Sequence, residues 1–340
     1  MARLNSTFSS TNLVRLLMLN APKIDKTTQD AIWEKSSYLN EAEAAGGIVK
    51  DATTDDITWP VEKSKNSTVG ARPWASSINL EMQDPFRLAN EDFAEYTGAV
   101  VLDELTINKN SSKDAIIKYS MAHINNLRNT FIDKVNTHLL KGSGTYPACT
   151  GLTTLIPETV SSGTLHGISR TSNTWWRNQA TASSCSTTDA FGTIVLKEAQ
   201  ELAALASGGQ GRNPFTHGVV DDATFANAMY YLPQMGTVQN VITGNGGGDT
   251  VTWPKNVKTV EPSLWIRGAK LIWDHAATAD SMRMFNFDKI KIRFVKNSYF
   301  HMTPKQQAED SFSVRVLMGC AFQHLNMNPK ESAVIYNFNS

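Results

Sequence analysis

The chain has 340 residues, of which 41% are hydrophobic and 19% charged, so it can form one large or two ordinary domains with a substantial core. Lysine plus arginine and aspartate plus glutamate both number 32, which gives a formal net charge of zero. A dedicated nucleic-acid binder needs a basic surplus to neutralise phosphates, so this class is disfavoured. A neutral chain also lacks the self-repulsion that keeps many proteins monomeric.

The three cysteines, Cys149, Cys185 and Cys320, form no CxxC or Cys/His cluster, which argues against a zinc site. Their odd number indicates free thiols in a reducing cytoplasm. The N-terminal stretch has one short apolar patch, interrupted by Arg15, and no small-residue cleavage site, so we expect no signal peptide. No apolar run reaches the length of a membrane span, and we expect no membrane partner.

Residues 1–56 are mostly polar and contain too few apolar residues to fold alone, so we expect them to lie on a partner subunit. Residues 57–61 predict a strand that Pro60 confines to a sheet edge. Further apolar residues alternate at period two, at Ile78, Leu80, Met82, Ala99, Val101, Leu105 and Ile107. Residues 57–107 are therefore predicted to form a long two-stranded excursion that needs support from neighbours, because an isolated hairpin is marginal.

Residues 111–141 carry a single apolar stripe, which predicts a half-buried helix of about eight turns. The stripe consists of Ile117, Met121, Ile124, Leu127, Phe131, Val135 and Leu139. Ser111 with Asp114 is typical of a helix start, and Lys141 followed by Gly142 is typical of a helix end. His123 and His138 lie off the stripe and are predicted to be ordinary surface residues.

The remaining chain alternates helix and strand patterns, with a flexible glycine-rich loop at residues 244–248. A helix is predicted at residues 193–206, and a second helix begins at Asp221 or Asp222. Strands are predicted at residues 217–220, 257–260, 269–273, 282–287, 289–295, 312–318 and 333–336, with turns at 302–304 and 328–330. The fold class is α+β, with one long helix, one α/β subdomain, a projecting hairpin and an extended arm.

No nucleotide-binding, zinc-protease, serine-hydrolase or calcium-loop motif is present, so we predict a non-enzyme without cofactor or metal. The glycine-rich loop has no lysine at P-loop spacing. Asp274-His275 has half the composition of a catalytic pair, but without a nucleophile motif it is interpreted as a strand-end turn. An active site assembled from distant residues stays open as an alternative.

The most informative segment is residues 151–179, which reads GLTTLIPETVSSGTLHGISRTSNTWWRNQ. It is rich in loop-forming residues and ends in two adjacent tryptophans, Trp175 and Trp176. Neighbouring residues of a strand face opposite sides, so both rings cannot enter one core from a strand. One of them is predicted to pack on another element or another subunit.

The order Gly151-Leu152, Leu155-Ile156, Gly167-Ile168-Ser169-Arg170 and Trp175 to Gln179 resembles a recurrent block of tailed-bacteriophage major capsid proteins with the Hong Kong 97 (HK97-like) fold. The resemblance extends to the order of elements along most of the chain. It implies an N-terminal arm at 1–56, an E-loop hairpin at 57–107, a P-domain with its spine helix at 108–190, an A-domain at 191–300 and returning P-domain strands at 301–340.

By this resemblance the chain is expected to be a major capsid protein that self-assembles, as hexamers and pentamers, into the icosahedral head shell enclosing phage DNA. Implied partners are a separate scaffolding protein, since no fused scaffolding region precedes the arm, a portal, a cement protein and nonspecifically packaged double-stranded DNA. The expected location is the virion capsid, with the host cytoplasm during assembly. Alternatives are a portal-associated or decoration protein and, more remotely, a motif-less cytoplasmic enzyme.

Aromatic and basic residues of the hairpin and of the block at 151–179 are the candidates for subunit contacts. They are Trp59, Lys63, Lys65, Arg72, Trp74, Trp175, Trp176 and Arg177. Some members of the resembled family join an E-loop lysine to a P-domain asparagine of a neighbouring subunit. No asparagine lies between Tyr299 and Leu325, so a shell without such crosslinks is expected.

Overall fold

The computed structural model describes residues 36–52, 56–71, 74, 77, 81–103, 113–183, 191–210, 212–231, 264–307 and 313–338. These residues form two compact units. The first unit takes the described residues up to Leu155 together with 164–169 and 290–327, and the second takes 156–163, 170–289 and 328–338. The predicted boundaries of arm, hairpin and domains stay a proposal, because the two units do not test them one by one.

Helices and strands alternate along the chain, as expected for the α+β class. The helices are α1 Ser37–Ala44, α2 Lys113–Lys141, α3 Leu152–Leu155, α4 Phe191–Ala206 and α5 Asp222–Tyr231, with 3-10 helices at Thr174–Trp176 and Pro329–Glu331. The strands are β1 Ile48–Ala52, β2 Asp56–Glu62, β3 Phe86–Asp92, β4 Ala94–Asp103, β5 Thr164–Leu165, β6 Ile168–Ser169, β7 Gln179–Ala182, β8 His217–Val220, β9 Leu264–Ile266, β10 Ala269–Trp273, β11 Ser281–Phe285, β12 Ile290–Val295, β13 His301–Gln307, β14 Ser313–Asn326 and β15 Ala333–Tyr336.

The main sheet of the first unit is organised around the long strand β14. Strand β4 pairs with it antiparallel at ten positions, from Ser313 opposite Asp103 to Phe322 opposite Ala94. Strands β12 and β13 pair with β14 as well, and β1 lies parallel beside β12. The expectation that residues 1–56 lie on a partner subunit is therefore wrong for 36–52, where β1 joins this sheet and Tyr38 and Leu39 of α1 are buried in the chain itself. Residues 1–35 of the predicted arm lie outside the described residues. The predicted two-stranded excursion over 57–107 is therefore wrong in its second half, because β4 belongs to this sheet and only β2 and β3 form a separate ladder.

Helix α2 confirms the predicted stripe in its described part, where Ile124, Phe131, Val135 and Leu139 are buried. The ring of Phe131 meets that of Phe300 edge-on at 6.1 Å. The surface prediction for His138 is wrong, because its Nδ1 lies 2.9 Å from the hydroxyl of Tyr96 on β4. His138 lies between the apolar stripe and solvent. Its hydrogen-bond partner, Tyr96, is 42 positions away, so the local sequence pattern does not reveal the contact.

The second unit contains a six-stranded sheet in the order β7-β15-β11-β8-β10-β9, with α4 and α5 supplying apolar faces to its core. Helix α4 buries the residues predicted from its period. Asp221 accepts hydrogen bonds from the backbone N–H groups of Ala223 and Thr224 and so caps α5, as one of the two predicted starts. The core includes Val195, Ala199, Leu202, Phe215, Val220, Phe225, Leu271, Met282 and Ile335.

One predicted turn is wrong, because residues 302–304 lie within strand β13. The register of β13 against β14 shifts between Thr303 and Gln306, so Pro304 occupies an irregular position of the ladder. The glycine-rich loop at 244–248 and the strand predicted at 257–260 lie outside the described residues. Among the helices that are described, none combines the length and apolar character of a membrane span.

Candidate functional site

The β2–β3 hairpin has one buried and one exposed face. Antiparallel register places Ile57 opposite Glu91, Trp59 opposite Ala89 and Val61 opposite Arg87 on one face. Ile57, Val61 and Ala89 on that face are buried. The other face pairs Pro60 with Leu88 and Glu62 with Phe86, and both large apolar side chains of β3 are exposed there.

Exposed apolar residues are concentrated in and beside this hairpin. Leu88 is 70% exposed and Phe86 58% exposed on the outer face. Among the described residues, eleven large hydrophobic side chains are exposed, and five of them lie between positions 69 and 88: Val69, Trp74, Met82, Phe86 and Leu88. Apolar surface gathered in one segment is typical of an interaction site, whereas single exposed residues are ordinary. We call Pro60, Phe86 and Leu88 the hairpin face.

The predicted lysines and tryptophans of this segment have different surroundings. Lys63 forms an exposed ion pair with Asp84 at 3.1 Å, while Lys65 is exposed. Trp74 is 99% exposed, and Arg72 lies outside the described residues. Trp59 instead packs its ring edge-on against His166 at 5.1 Å. Trp59 therefore contributes to the hairpin's own attachment more than to an outer surface.

A buried polar network joins the hairpin to the main sheet. His166 Nδ1 lies 2.8 Å from Glu91 Oε2, and His166 Nε2 lies 3.1 Å from the backbone N of Asn326 at the end of β14. Glu91 Oε1 accepts hydrogen bonds from Thr150 Oγ1 and from Gln323 Nε2. We call Glu91, Thr150, His166, Gln323 and Asn326 the Glu91 network. It fixes the base of the hairpin through the end of β3.

Two glycines of the capsid-like block are required by the local backbone geometry. A Cβ on Gly151 would overlap the backbone at Gly142, whose carbonyl accepts a hydrogen bond from Gly151 N–H at 3.0 Å. Gly167 has a φ of +75°, and a Cβ there would meet Asn90 Oδ1. Glycine tolerates both conditions because it has no side chain. The order of residues in this block therefore reflects backbone geometry in the first unit.

In the second unit, buried polar side chains fix the loop that runs from Ile156 to Gly163. Arg283 Nε donates to the carbonyl of Ile156, and its Nη2 lies 3.3 Å from Glu158 Oε1. Asn178 Nδ2 donates to the carbonyl of Pro157. Burial lowers the pKa of Arg283, and Glu158 acts in the opposite direction. These contacts order an otherwise irregular loop.

The two adjacent tryptophans do not both enter the core. They lie in a 3-10 helix rather than a strand, where Trp176 is buried and Trp175 is half-buried, with ring centroids 5.5 Å apart. Arg177 donates from Nε to the carbonyl of Arg170 and from Nη2 to that of Thr171. Trp176 and Arg177 thus have roles within the chain, and Trp175 keeps exposed ring surface.

In the described segments, no group of three or more His, Cys, Asp or Glu residues is arranged to hold a metal ion. Burial raises the pKa of Cys149 to about 12 and raises the pKa of Cys320, which keeps both thiols protonated and unreactive at neutral pH. His275 lies in an exposed turn after β10, the strand-end turn that the sequence predicted. Its Nδ1 is 3.0 Å from the carboxylate of Asp222 at the start of α5.

Sequence reasoning missed Phe86, Leu88 and the Glu91 network. Phe86 and Leu88 alternate at period two, so the sequence contained a signal for that outer face. The network combines residues from four separated parts of the chain, and no local pattern predicts such a cluster. His166 also adopts a positive φ of 51°, and its position before Gly167 is only a weak sequence signal for this conformation.

No protein-family profile matches the chain, and no curated protein matches its sequence. The structure is similar to many solved chains. The cyanophage A-1(L) capsid aligns over 87% of this chain and 91% of its own, with a TM-score of 0.59 and 17% identity. The mature capsid of bacteriophage PhiM1 aligns over 86% and 85%, with a TM-score of 0.54 and 8% identity. The capsid of Myoviridae phage XM1 aligns over 86% and 90%, with a TM-score of 0.53 and 8% identity.

Both partners in each alignment are covered almost completely, so the likeness concerns the whole architecture rather than one common motif. Sequence identity at this level establishes the fold and leaves the role of individual residues to the geometry of this chain. The expected fold is confirmed: the chain has the HK97-like fold of phage capsid proteins.

Proposed function

We propose that this protein is a major capsid protein whose copies assemble into the icosahedral head shell of a tailed phage. The fold supports this, since the similar solved structures are capsids over nearly their full length. The role is structural rather than catalytic. In this role hexamers and pentamers of the chain form a closed shell, and symmetric repetition of the same contacts spreads each interface over several neighbours.

The observation that carries the proposal is the hairpin face. A two-stranded sheet is marginal in water, yet this one presents Phe86 and Leu88 outward instead of burying them. Burying apolar surface gains about 25 cal/mol per Å², so a neighbouring copy that covers this face stabilises both the hairpin and the contact. Trp74 and Lys65 near the hairpin tip, and Trp175 in the second unit, are further proposed contact residues.

Electron microscopy of the purified protein, with and without a co-expressed scaffolding protein, tests the proposal. Closed shells are the expected product. Soluble monomers alone under both conditions would overturn it. A ring or a trimer in place of a shell would favour the alternative, a portal-associated or decoration protein, and a turnover activity in a screened substrate panel would favour an enzyme.

The hairpin face has its own test. Leu88→Asp places a charge on an exposed position, so the monomer should fold while shell formation is lost. Leu205→Asp is the matched control, since Leu205 is an exposed leucine of α4 in the second unit. Circular dichroism checks folding and sedimentation checks assembly. Normal shells from Leu88→Asp would show that the hairpin face is not part of the subunit interface.

The partners of this shell follow from the proposed role. They are a separate scaffolding protein, a portal at one vertex, a cement protein on the outer surface and packaged double-stranded DNA inside, with assembly in the host cytoplasm. Because the chain carries no net charge, its contact with DNA is weak and nonspecific. Tight, sequence-selective binding of DNA by the free subunit would contradict this part of the proposal.

A further inference from the structure

His166 occupies a position where its protonation state decides which contacts it can make. The backbone N–H of Asn326 is a donor only, so the Nε2 atom 3.1 Å away must be an acceptor. His166 Nδ1 then carries the hydrogen and donates to Glu91 Oε2 at 2.8 Å. The described geometry therefore requires the neutral ring with its hydrogen on Nδ1.

Neither His166 nor Asn326 is exposed, so water cannot replace the hydrogen bond between the His166 ring and the Asn326 N–H. The side chain of His166 has no exposed surface, and Asn326 is completely buried. Among the described residues, the other titratable groups that face the ring are Glu91 on β3, which is partly exposed, and His324 on β14, which is buried. From β2 the ring meets the indole of Trp59, which carries no charge.

Addition of a proton at Nε2 turns both sides of the Asn326 contact into donors. The backbone N–H of Asn326 then loses its acceptor in a buried site, which is unfavourable because a buried donor without an acceptor keeps its full desolvation cost. The bond to Glu91 survives as an ion pair, so His166 stays attached to β3. The cost therefore falls on one contact, between the loop that carries His166 and the end of β14.

We propose that His166 is a proton-sensitive latch that joins the base of the β2–β3 hairpin to the end of β14 while neutral and opens at Asn326 when acidified. On opening, the loop at 164–169 and β3 remain bound to each other through His166 and Glu91. Gln323 Nε2 still donates to the carbonyl of Asp92, so the hairpin base loosens without detaching. The latch belongs to the single chain and does not depend on shell assembly.

Hydrogen exchange of the Asn326 amide in the unassembled full chain tests this between pH 7.5 and pH 5. Protection factors, which correct for the intrinsic pH dependence of exchange, are compared for wild type and variants. In wild type the protection should fall about tenfold on acidification, as expected for loss of one buried hydrogen bond. Unchanged protection would overturn the proposal.

Two variants separate His166 from its neighbours. His166→Gln retains a side-chain acceptor but does not titrate, so the acid-dependent fall should disappear; the matched control His123→Gln, at an exposed histidine of α2, should retain it. Glu91→Gln removes the carboxylate that stabilises the protonated ring, so the fall should move to lower pH. If the Asn326 amide of Glu91→Gln is already unprotected at pH 7.5, Glu91 rather than His166 is the titrating group. A fall that persists in His166→Gln but disappears in His324→Gln would assign it to His324, and either result refutes the latch.

Discussion

Arg283 on β11 lies 3.3 Å from Glu158, a residue 125 positions earlier in the chain, and donates to the carbonyl of Ile156 in the same loop. Arg283 Nη1 also contacts Ser281 Oγ at 2.6 Å. A buried guanidinium requires such partners, since its planar fork offers five donors and no acceptor. This one side chain therefore fixes an irregular loop to the sheet of the second unit.

Arg283→Met should destabilise the second unit by about 1–3 kcal/mol, because the carbonyl of Ile156 loses its donor while methionine retains part of the packing. Urea denaturation followed by circular dichroism measures the change. Glu158→Gln is the control and should cost less than about 1 kcal/mol, since the Glu158 side chain is 41% exposed. Equal costs for the two variants would show that the ion pair, rather than the loop carbonyl, fixes this segment.

Phe131→Asp should prevent folding of the first unit. Phe131 is buried in the stripe of α2 against Phe300, and an unpaired carboxylate there costs several kcal/mol, a large part of the stability of a domain. Soluble expression and circular dichroism provide the measurement. Thr130→Asp, at the exposed neighbouring position of the same helix, should fold normally. Native-like protein from Phe131→Asp would show that the stripe is not part of the core.

Stability should fall as pH is lowered through the range set by His324. Burial lowers the pKa of this histidine to about 3, with the nearby His166 acting in the same direction. The unfolded chain has an ordinary histidine pKa of about 6.5, so between these values the unfolded state binds the extra proton. The stabilisation is complete above about pH 6.5 and is lost progressively below it, with a limiting slope of about 1.4 kcal/mol per pH unit.

Urea midpoints measured from pH 7.5 to pH 4.5 check the His324 prediction. His324→Gln removes the titrating ring and leaves an amide for the hydroxyl of Tyr38, which lies 2.9 Å from His324 Nε2. The variant should be less stable at pH 7.5 but show a shallower decline with acid. An unchanged slope would assign the acid sensitivity to other groups, with His166→Gln as the next comparison.

Mature particles of the proposed shell should contain no covalent links between a hairpin lysine and an asparagine of β14. That strand has a single asparagine, Asn326, which is fully buried in the Glu91 network, and Lys63 is paired with Asp84. Boiling particles in detergent under reducing conditions should give one band near 37.4 kDa. A ladder of oligomers would contradict this, and Asn328, which is half-buried, would be the first residue to substitute.

The sequence by itself determined the elements whose signals are local. The period of α2 and α4, the alternation of β12 and the helix cap at Asp221 all follow from contacts within a few residues, and the structure confirms them. The capsid-like block also predicted the fold, although its glycines turned out to serve close contacts with the backbone at Gly142 and with the side-chain amide of Asn90.

Only the tertiary structure decided the features that depend on distant partners. The sequence pattern of β4 predicts a hairpin arm, but ten pairings with β14 place it in the main sheet. Strand β13 forms despite Pro304 because it pairs with β14. His166 and Glu91 are 75 positions apart, so no local pattern predicts their hydrogen bond. Local periodicity encodes which face of an element is apolar, whereas the identity of its partner depends on packing of the whole chain.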